Sequence, residues 1–249
     1  MQVSKRPFTA RSVLASALLG ADPPELPVAH LVRLAGLFGI AENRARVALS
    51  RMVATGEATT DGSGRYRLAG HLLNRQERQT ESRTGETGPW AGRWWMVVVQ
   101  AAGRSADERA ARRDRLYRAR LAERREGVWL RPDNLGLRPD LAKDGDLEVF
   151  TAEPAGDGRR LADELWDLHG WAHLAENLRR ALNASPTRGP EDLAAGFELS
   201  ASVLRHLQAD PLLPSELLPP RWPGPALRRS YDGWDRRYRD VLRTWSQAR

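Results

Sequence analysis

Apolar positions between residues 9 and 68 recur first with a helical period and then with a strand period. Val13, Leu14, Ala17 and Leu18 predict a helix that opens at Phe8-Thr9-Ala10-Arg11, with Thr9 as its N-cap, and stops at Gly20. Pro23-Pro24 and Pro27 predict a loop, after which Leu31, Leu34, Ala35 and Phe38 predict a second helix ending at Gly39. Gly39-Ile40 is a tight break, and a third helix is expected from about Ala41 to Ala54, ending at Gly56. Glu57 to Thr60 and Arg65 to Leu68, joined by Asp61-Gly62-Ser63-Gly64, read as a hairpin.

The third helix has two unlike faces. At 100 degrees per residue, Ala45, Ala48, Leu49, Met52 and Val53 share one arc, while Asn43, Val47, Ser50, Arg51 and Ala54 lie opposite, flanked by Arg44 and Arg46. Such a donor-rich, sterically small face suits a DNA major groove. Taken alone, it better describes an ordinary surface helix with solvated arginines. On the second hairpin strand, a period of two sends Tyr66 and Leu68 to one side and Arg65 and Arg67 to the other, where guanidinium groups meet phosphate. Three helices followed by a basic hairpin predict a winged helix-turn-helix.

The middle of the chain changes period. Glu77 to Gly88 reads as a polar connection, and Trp94 to Gln100 as a buried strand. Ser105 to Glu108 has capping-box spacing and opens a long helix rich in Arg and Glu. Gly127-Val-Trp-Leu and Asp146-Leu-Glu-Val-Phe are further strands, in an order compatible with part of a ferredoxin-like sandwich. Leu161 through Leu178 recur at helical spacing, followed by helical patterns at about Glu191 to Gln208 and Ala226 to Ser246. The expected class is α+β, divided as 1–88, 89–155 and a helical 156–249.

Composition narrows the chemistry. The 249 residues contain no cysteine, which excludes disulfides, thiolate metal sites and cysteine nucleophiles. A net charge of +7 favours a polyanionic partner. Its weight is limited, because Lys5 and Lys143 are the sole lysines beside 37 arginines, a bias that a GC-rich genome produces. No apolar stretch approaches the roughly 20 residues of a membrane helix. Lys5 and Arg6 precede the run from Val13 to Leu19, but Arg11 lies just before that run and Asp22 closely follows, so a cytoplasmic location is expected. His169 and His173 stand four apart, the spacing of two zinc ligands, yet no Glu lies between them and no third ligand is identifiable. Packed or solvent-facing histidines fit better, and Trp166 and Trp171 read as core. No nucleotide loop, nucleophile elbow, zinc-protease motif or dinucleotide fingerprint occurs. Neither a catalytic residue, a cofactor nor a metal is therefore expected.

Several segments in one order resemble a known family. Gly36-Leu-Phe-Gly-Ile-Ala-Glu-Asn, the run from Arg46 to Met52, and Gly64-Arg-Tyr-Arg-Leu are similar to the N-terminal domain of the PaaX-like repressors of phenylacetate degradation. Trp129-Leu-Arg-Pro resembles that family's central domain, and Asp210-Pro-Leu-Leu-Pro-Ser-Glu-Leu-Leu-Pro with Trp222-Pro-Gly its C-terminal signature. The resemblance covers nearly the whole chain. It implies a central domain similar to the Cas2 fold, a homodimeric repressor on a two-fold symmetric double-stranded DNA operator, and release by an aromatic acyl-CoA such as phenylacetyl-CoA. No effector pocket is identifiable from the sequence. Asn43, Arg44, Arg46, Ser50 and Arg51 would contact base edges or adjacent phosphates, and Arg65 and Arg67 backbone phosphates. A Cas2-like domain raises the alternative of a metal-dependent nuclease. Trp94 to Gln100, however, has no acidic residue, and capping explains Asp107 and Glu108. A C-terminal protein-binding module is a further alternative.

Overall fold

The computed structural model describes residues 9–21, 23–100 and 105–247. Phe8, expected to open the first helix, lies outside them, as do Lys5, Arg6 and Asp22. Helices accompany two separate antiparallel sheets, so the chain is α+β as expected. By contacts it forms two compact units, one of residues 1–84, 177–208 and 226–249, the other of 85–176 and 209–225. The C-terminal third is thereby shared between the units, a long-range arrangement that local periodicity does not encode.

Unit one begins with α1 (Ala10–Gly20), β1 (Glu25–Pro27), α2 (Val28–Gly36), α3 (Glu42–Ala54), β2 (Ala58–Thr60) and β3 (Arg65–Leu68). Thr9 caps α1 as expected, its hydroxyl oxygen accepting from Ser12 N at 3.1 Å. Val13, Leu14 and Leu18 of α1 meet Leu31 and Leu34 of α2 and Leu49 and Met52 of α3 in one buried cluster. Each leucine so buried contributes about 1.5–3 kcal/mol. The loop expected around Pro27 contains a strand instead. β1 pairs with β3 and completes a sheet ordered β1-β3-β2. Proline is tolerated there because β1 is an edge strand of three residues.

The first part of the polar segment expected from Glu77 to Gly88 falls within a second unexpected element, α4 (His71–Thr84). Its stability comes from distant chain. Leu72 joins the core, and Ser82 is buried. Arg228 Nε donates to the Ser82 carbonyl at 2.9 Å, and Arg83 pairs with Asp232 at 3.0 Å. The entry to α4 needs glycine: Gly70 has φ +56°, and a Cβ there would come within 2.5 Å of the Gly56 carbonyl oxygen.

Unit two runs β4 (Trp94–Val99), α5 (Ala106–Arg118), β5 (Ala122–Arg125), β6 (Val128–Pro132), α6 (Pro139–Ala142) and β7 (Leu147–Ala152). Its strands lie in the order β5-β6-β4-β7, each neighbour antiparallel. The expected capping box of Ser105 and Glu108 is present at α5. β5, with the sequence Ala-Glu-Arg-Arg, carries too little apolar alternation to be foreseen.

The helical pattern expected across Leu161 to Leu178 is two helices, α7 (Gly158–Leu165) and α8 (Leu168–Ala184). Trp166 adopts an extended conformation between them, and the Asp167 carboxylate caps the second by accepting from Gly170 N at 2.8 Å. α9 (Leu193–Gln208) and α10 (Gly224–Gln247) close the chain's helical elements in unit one.

The Asp210 signature is a fastener within unit two. Asn134 Nδ2 donates to the Leu212 carbonyl at 2.8 Å, Arg131 donates to Asn134 Oδ1 at 3.1 Å, and Arg120 donates to the Asp210 carbonyl. Burial, reinforced by the Arg120 charge, lowers the Arg131 pKa. Trp222 stacks on Trp171 with ring centroids 4.5 Å apart.

Candidate nucleic-acid interface

α3 is held by one face and offers the other. Ala45, Leu49 and Met52 are buried, whereas Asn43, Arg44, Arg46, Ser50 and Arg51 are all exposed. Val47 lies among them with 51% of its surface open to solvent. Two of the expected contact residues are internally engaged: Arg46 Nε donates to Glu42 at 2.8 Å and Ser50 Oγ to the Arg46 carbonyl at 3.1 Å. Among the described residues, no carboxylate pairs with Arg44 or Arg51. Their ten N–H donors are the least encumbered on the helix.

The hairpin is shaped by its turn. The Asp61 carboxylate accepts from Ser63 N at 2.9 Å, from Ser63 Oγ at 2.7 Å and from Arg65 N at 3.3 Å. These bonds, the Ser63 hydroxyl foremost, lower the Asp61 pKa. Gly62 and Gly64 supply φ values of +79° and +85°. As the strand period predicts, Arg65 and Arg67 are exposed while Leu68 is buried.

A residue without a local sequence signal controls both arginines. Glu25 of β1 accepts from Arg65 Nε, and from Arg67 Nε at 2.8 Å. Hydrogen bonds from Arg65 and then Arg67 hold its carboxyl below the usual range. The guanidinium side chains remain 47% and 67% exposed, against 15% for Glu25. One carboxylate thus orients two cations and leaves a net positive charge on the hairpin. The alternating pattern places Arg65 and Arg67 together. Their partner stands 40 and 42 residues earlier, in a proline-flanked segment with no strand signal.

A buried carboxylate ties α1 to the hairpin's entry. Glu57 accepts from Arg11 Nε at 2.8 Å, and this bond chiefly lowers its pKa.

Other candidate groups are dispersed. His169 and His173 are exposed on α8, Trp171 is buried, and Trp166 is half-buried. Glu108 is committed to its capping box, accepting from Ser105 N at 2.9 Å. Asp146 and Asp144 are engaged by Arg112 and Arg115. Among the described residues, no three His, Asp or Glu side chains gather as a metal would require, and no helix is long and apolar enough to cross a membrane.

An α+β chain whose exposed, arginine-bearing helix precedes a basic hairpin is now joined by its relatives. The family model described as PaaX-like protein matches residues 9–72, and that of the PaaX-like protein C-terminal domain matches residues 166–248. The chain belongs to the PaaX-like protein family. It is also similar to a solved structure, the uncharacterized protein Rv0674 from Mycobacterium tuberculosis. The two are 40% identical with a TM-score of 0.75, covering 96% of this chain and 99% of that one. No curated protein matches.

Many of the residues carrying the family likeness have structural duties. Gly39, at φ +68°, makes the turn that lets Ile40 N donate to the Ala35 carbonyl at 3.2 Å. Trp129 and Arg131 are buried in β6, and the Asp210 segment is pinned by Asn134.

Proposed function

We propose that this protein is a DNA-binding transcriptional regulator, a homodimeric repressor whose α1 to β3 segment is a winged helix-turn-helix. The supporting observation is the outward face of α3, where Asn43, Arg44, Val47, Ser50 and Arg51 are all exposed while Ala45, Leu49 and Met52 anchor the other side. The order α1-β1-α2-α3-β2-β3, with β3 central in its sheet, fits that motif. In this reading α3 enters the major groove. Asn43, Arg44, Arg46, Ser50 and Arg51 contact base edges or adjacent phosphates, and Arg65 and Arg67 hold backbone phosphates. Family membership supports the regulatory role, and two-fold pairing would match an operator of like symmetry.

The strand order of unit two fits a ferredoxin-like, Cas2-like sandwich. We read it as a spacer or dimerisation element without catalysis, because β4 carries no carboxylate, Glu108 caps α5, and arginines engage Asp144 and Asp146. The protein is taken to act in the cytoplasm without a cofactor, released from DNA by an acyl-CoA-type effector as the family resemblance implies. Sequencing genomic DNA captured by the purified protein tests the principal reading. It should return a small set of promoter sites with two-fold symmetry, and recovery of unrelated DNA alone would refute it. Incubation with DNA or RNA and magnesium or manganese should yield no cleavage.

A further inference from the structure

Unit one contains a cavity of about 790 Å³, lined by α1, α4, α9 and α10 together with parts of β1, α2 and β3. That volume falls in the range of small-molecule sites, about 300–1,000 Å³. Its wall combines two chemistries. Leu19, Leu34, Leu72, Phe197, Leu204 and Leu242 are apolar, while seven arginines face three carboxylates.

The cations are not equivalent. Arg11 is paired with Glu57, Arg65 with Glu25, Arg239 with Asp235 and Arg243 with Asp240. Arg75 of α4, Arg205 of α9 and Arg236 of α10 have no carboxylate partner among the described residues, and Arg75 and Arg205 interact with each other. Burial lowers the Arg75 pKa, and the charges of Arg11 and Arg205 lower it further. Unneutralised guanidinium groups brought together beside an apolar wall repel one another, and an anion between them relieves that repulsion.

α9 sets the length of what fits. Phe197, Ala201, Leu204, Arg205 and Gln208 all line the cavity and recur at three- and four-residue spacing, so one helix face runs from an aromatic ring to a cation. At 1.5 Å per residue, Phe197 and Arg205 are separated by about 12 Å along the axis. We propose that this cavity binds an organic anion with an apolar body, its acid group between Arg75 and Arg205 and its body against Phe197, Leu204 and Leu242. The inference does not depend on the DNA-binding reading, and its test uses no nucleic acid.

The probe is 8-anilinonaphthalene-1-sulfonate, titrated into the full chain and followed by fluorescence, with decanoate and the neutral decanamide as competitors. Saturable, single-site binding is expected, with decanoate displacing the probe at least tenfold more effectively than decanamide. The double variant Arg75→Gln, Arg205→Gln should weaken binding about tenfold, the loss of two charge-assisted contacts, while Arg75→Lys with Arg205→Lys stays within threefold of the parent. Ala201→Phe, which fills the cavity without removing a charge, should also weaken it. Arg160→Gln on α7 should leave it unchanged. Absence of saturable binding, or equal binding by the double glutamine and Ala201→Phe variants and the parent, would overturn the proposal.

Discussion

Glu25 and Arg67 stand directly opposite each other in the β1–β3 ladder, and Arg67 Nε donates to the Glu25 carboxylate at 2.8 Å. The same carboxylate accepts from Arg65, so the hairpin's two exposed cations are oriented and partly neutralised from within. Glu25→Gln should therefore raise affinity for duplex DNA of any sequence and steepen the salt dependence by about one unit of slope. Anisotropy titrations on unrelated duplexes between 50 and 200 mM salt, on the order used for such slopes, measure both. An unchanged slope would mean that neither guanidinium reaches phosphate.

The proposed division of roles between α3 and the hairpin makes a separate prediction. Arg51→Ala should relax sequence preference, costing about 1–3 kcal/mol at the base pair it reads. Arg44→Ala should act in the same direction. Arg65→Ala should weaken all sequences alike and lower the salt slope by about one. Equal losses on operator and random duplex for Arg51→Ala would contradict base reading by α3.

Gly196 shows how closely α9 and α10 pack. A Cβ at this position would overlap the Tyr238 ring and come within 3.4 Å of Trp234, both buried aromatic residues of α10. Tyr238 cannot swing away cheaply, since its hydroxyl donates to the Leu193 carbonyl at 2.9 Å. Gly196→Ala should destabilise the protein by about 1–3 kcal/mol through overpacking, despite alanine's better helix propensity. Urea denaturation reads this directly, and a stabilised variant would show that the helices are free to separate.

His30 provides a pH signature. Burial lowers its pKa below the ordinary histidine value of about 6.5, with a smaller contribution from the charge of Arg33. The unfolded chain then takes up a proton that the folded chain resists, so stability falls as pH drops through about 6.5 and levels off below the folded pKa. Glu25 and Glu57 act in a lower window: their depressed pKa values contribute stability above about 4.5 that is lost as pH falls further. Urea midpoints from pH 8 to 5 should decline in the parent and decline less in His30→Gln. Parallel curves would assign the loss to other groups.

Local signals explain what the sequence revealed. Thr9, the break at Gly39, the Ser105 capping box and the alternation through Arg65 to Leu68 each act within a few residues, and α1, α3, α5 and β3 lie where those signals place them. Elements stabilised from afar were hidden. α4 is almost wholly polar and is held by Arg228 and Asp232, β1 is masked by its prolines, and β5 borrows its order from β6. The candidate interface divides in the same way. Exposure of Asn43, Arg44 and Arg51 follows from helical geometry, whereas the hold of Glu25 on Arg65 and Arg67 requires a strand pairing that no periodicity announces.

The interleaving of the two units bears on how the protein is made. The backbone passes between them four times, at 84–85, 176–177, 208–209 and 225–226. During translation, the segment bearing α3 leaves the ribosome well before α9 and α10, the helices that share its hydrophobic cluster through Phe197 and Leu242. Neither unit is one continuous stretch of gene, so a single cut between residues 84 and 85 severs the early segment from its late-arriving support.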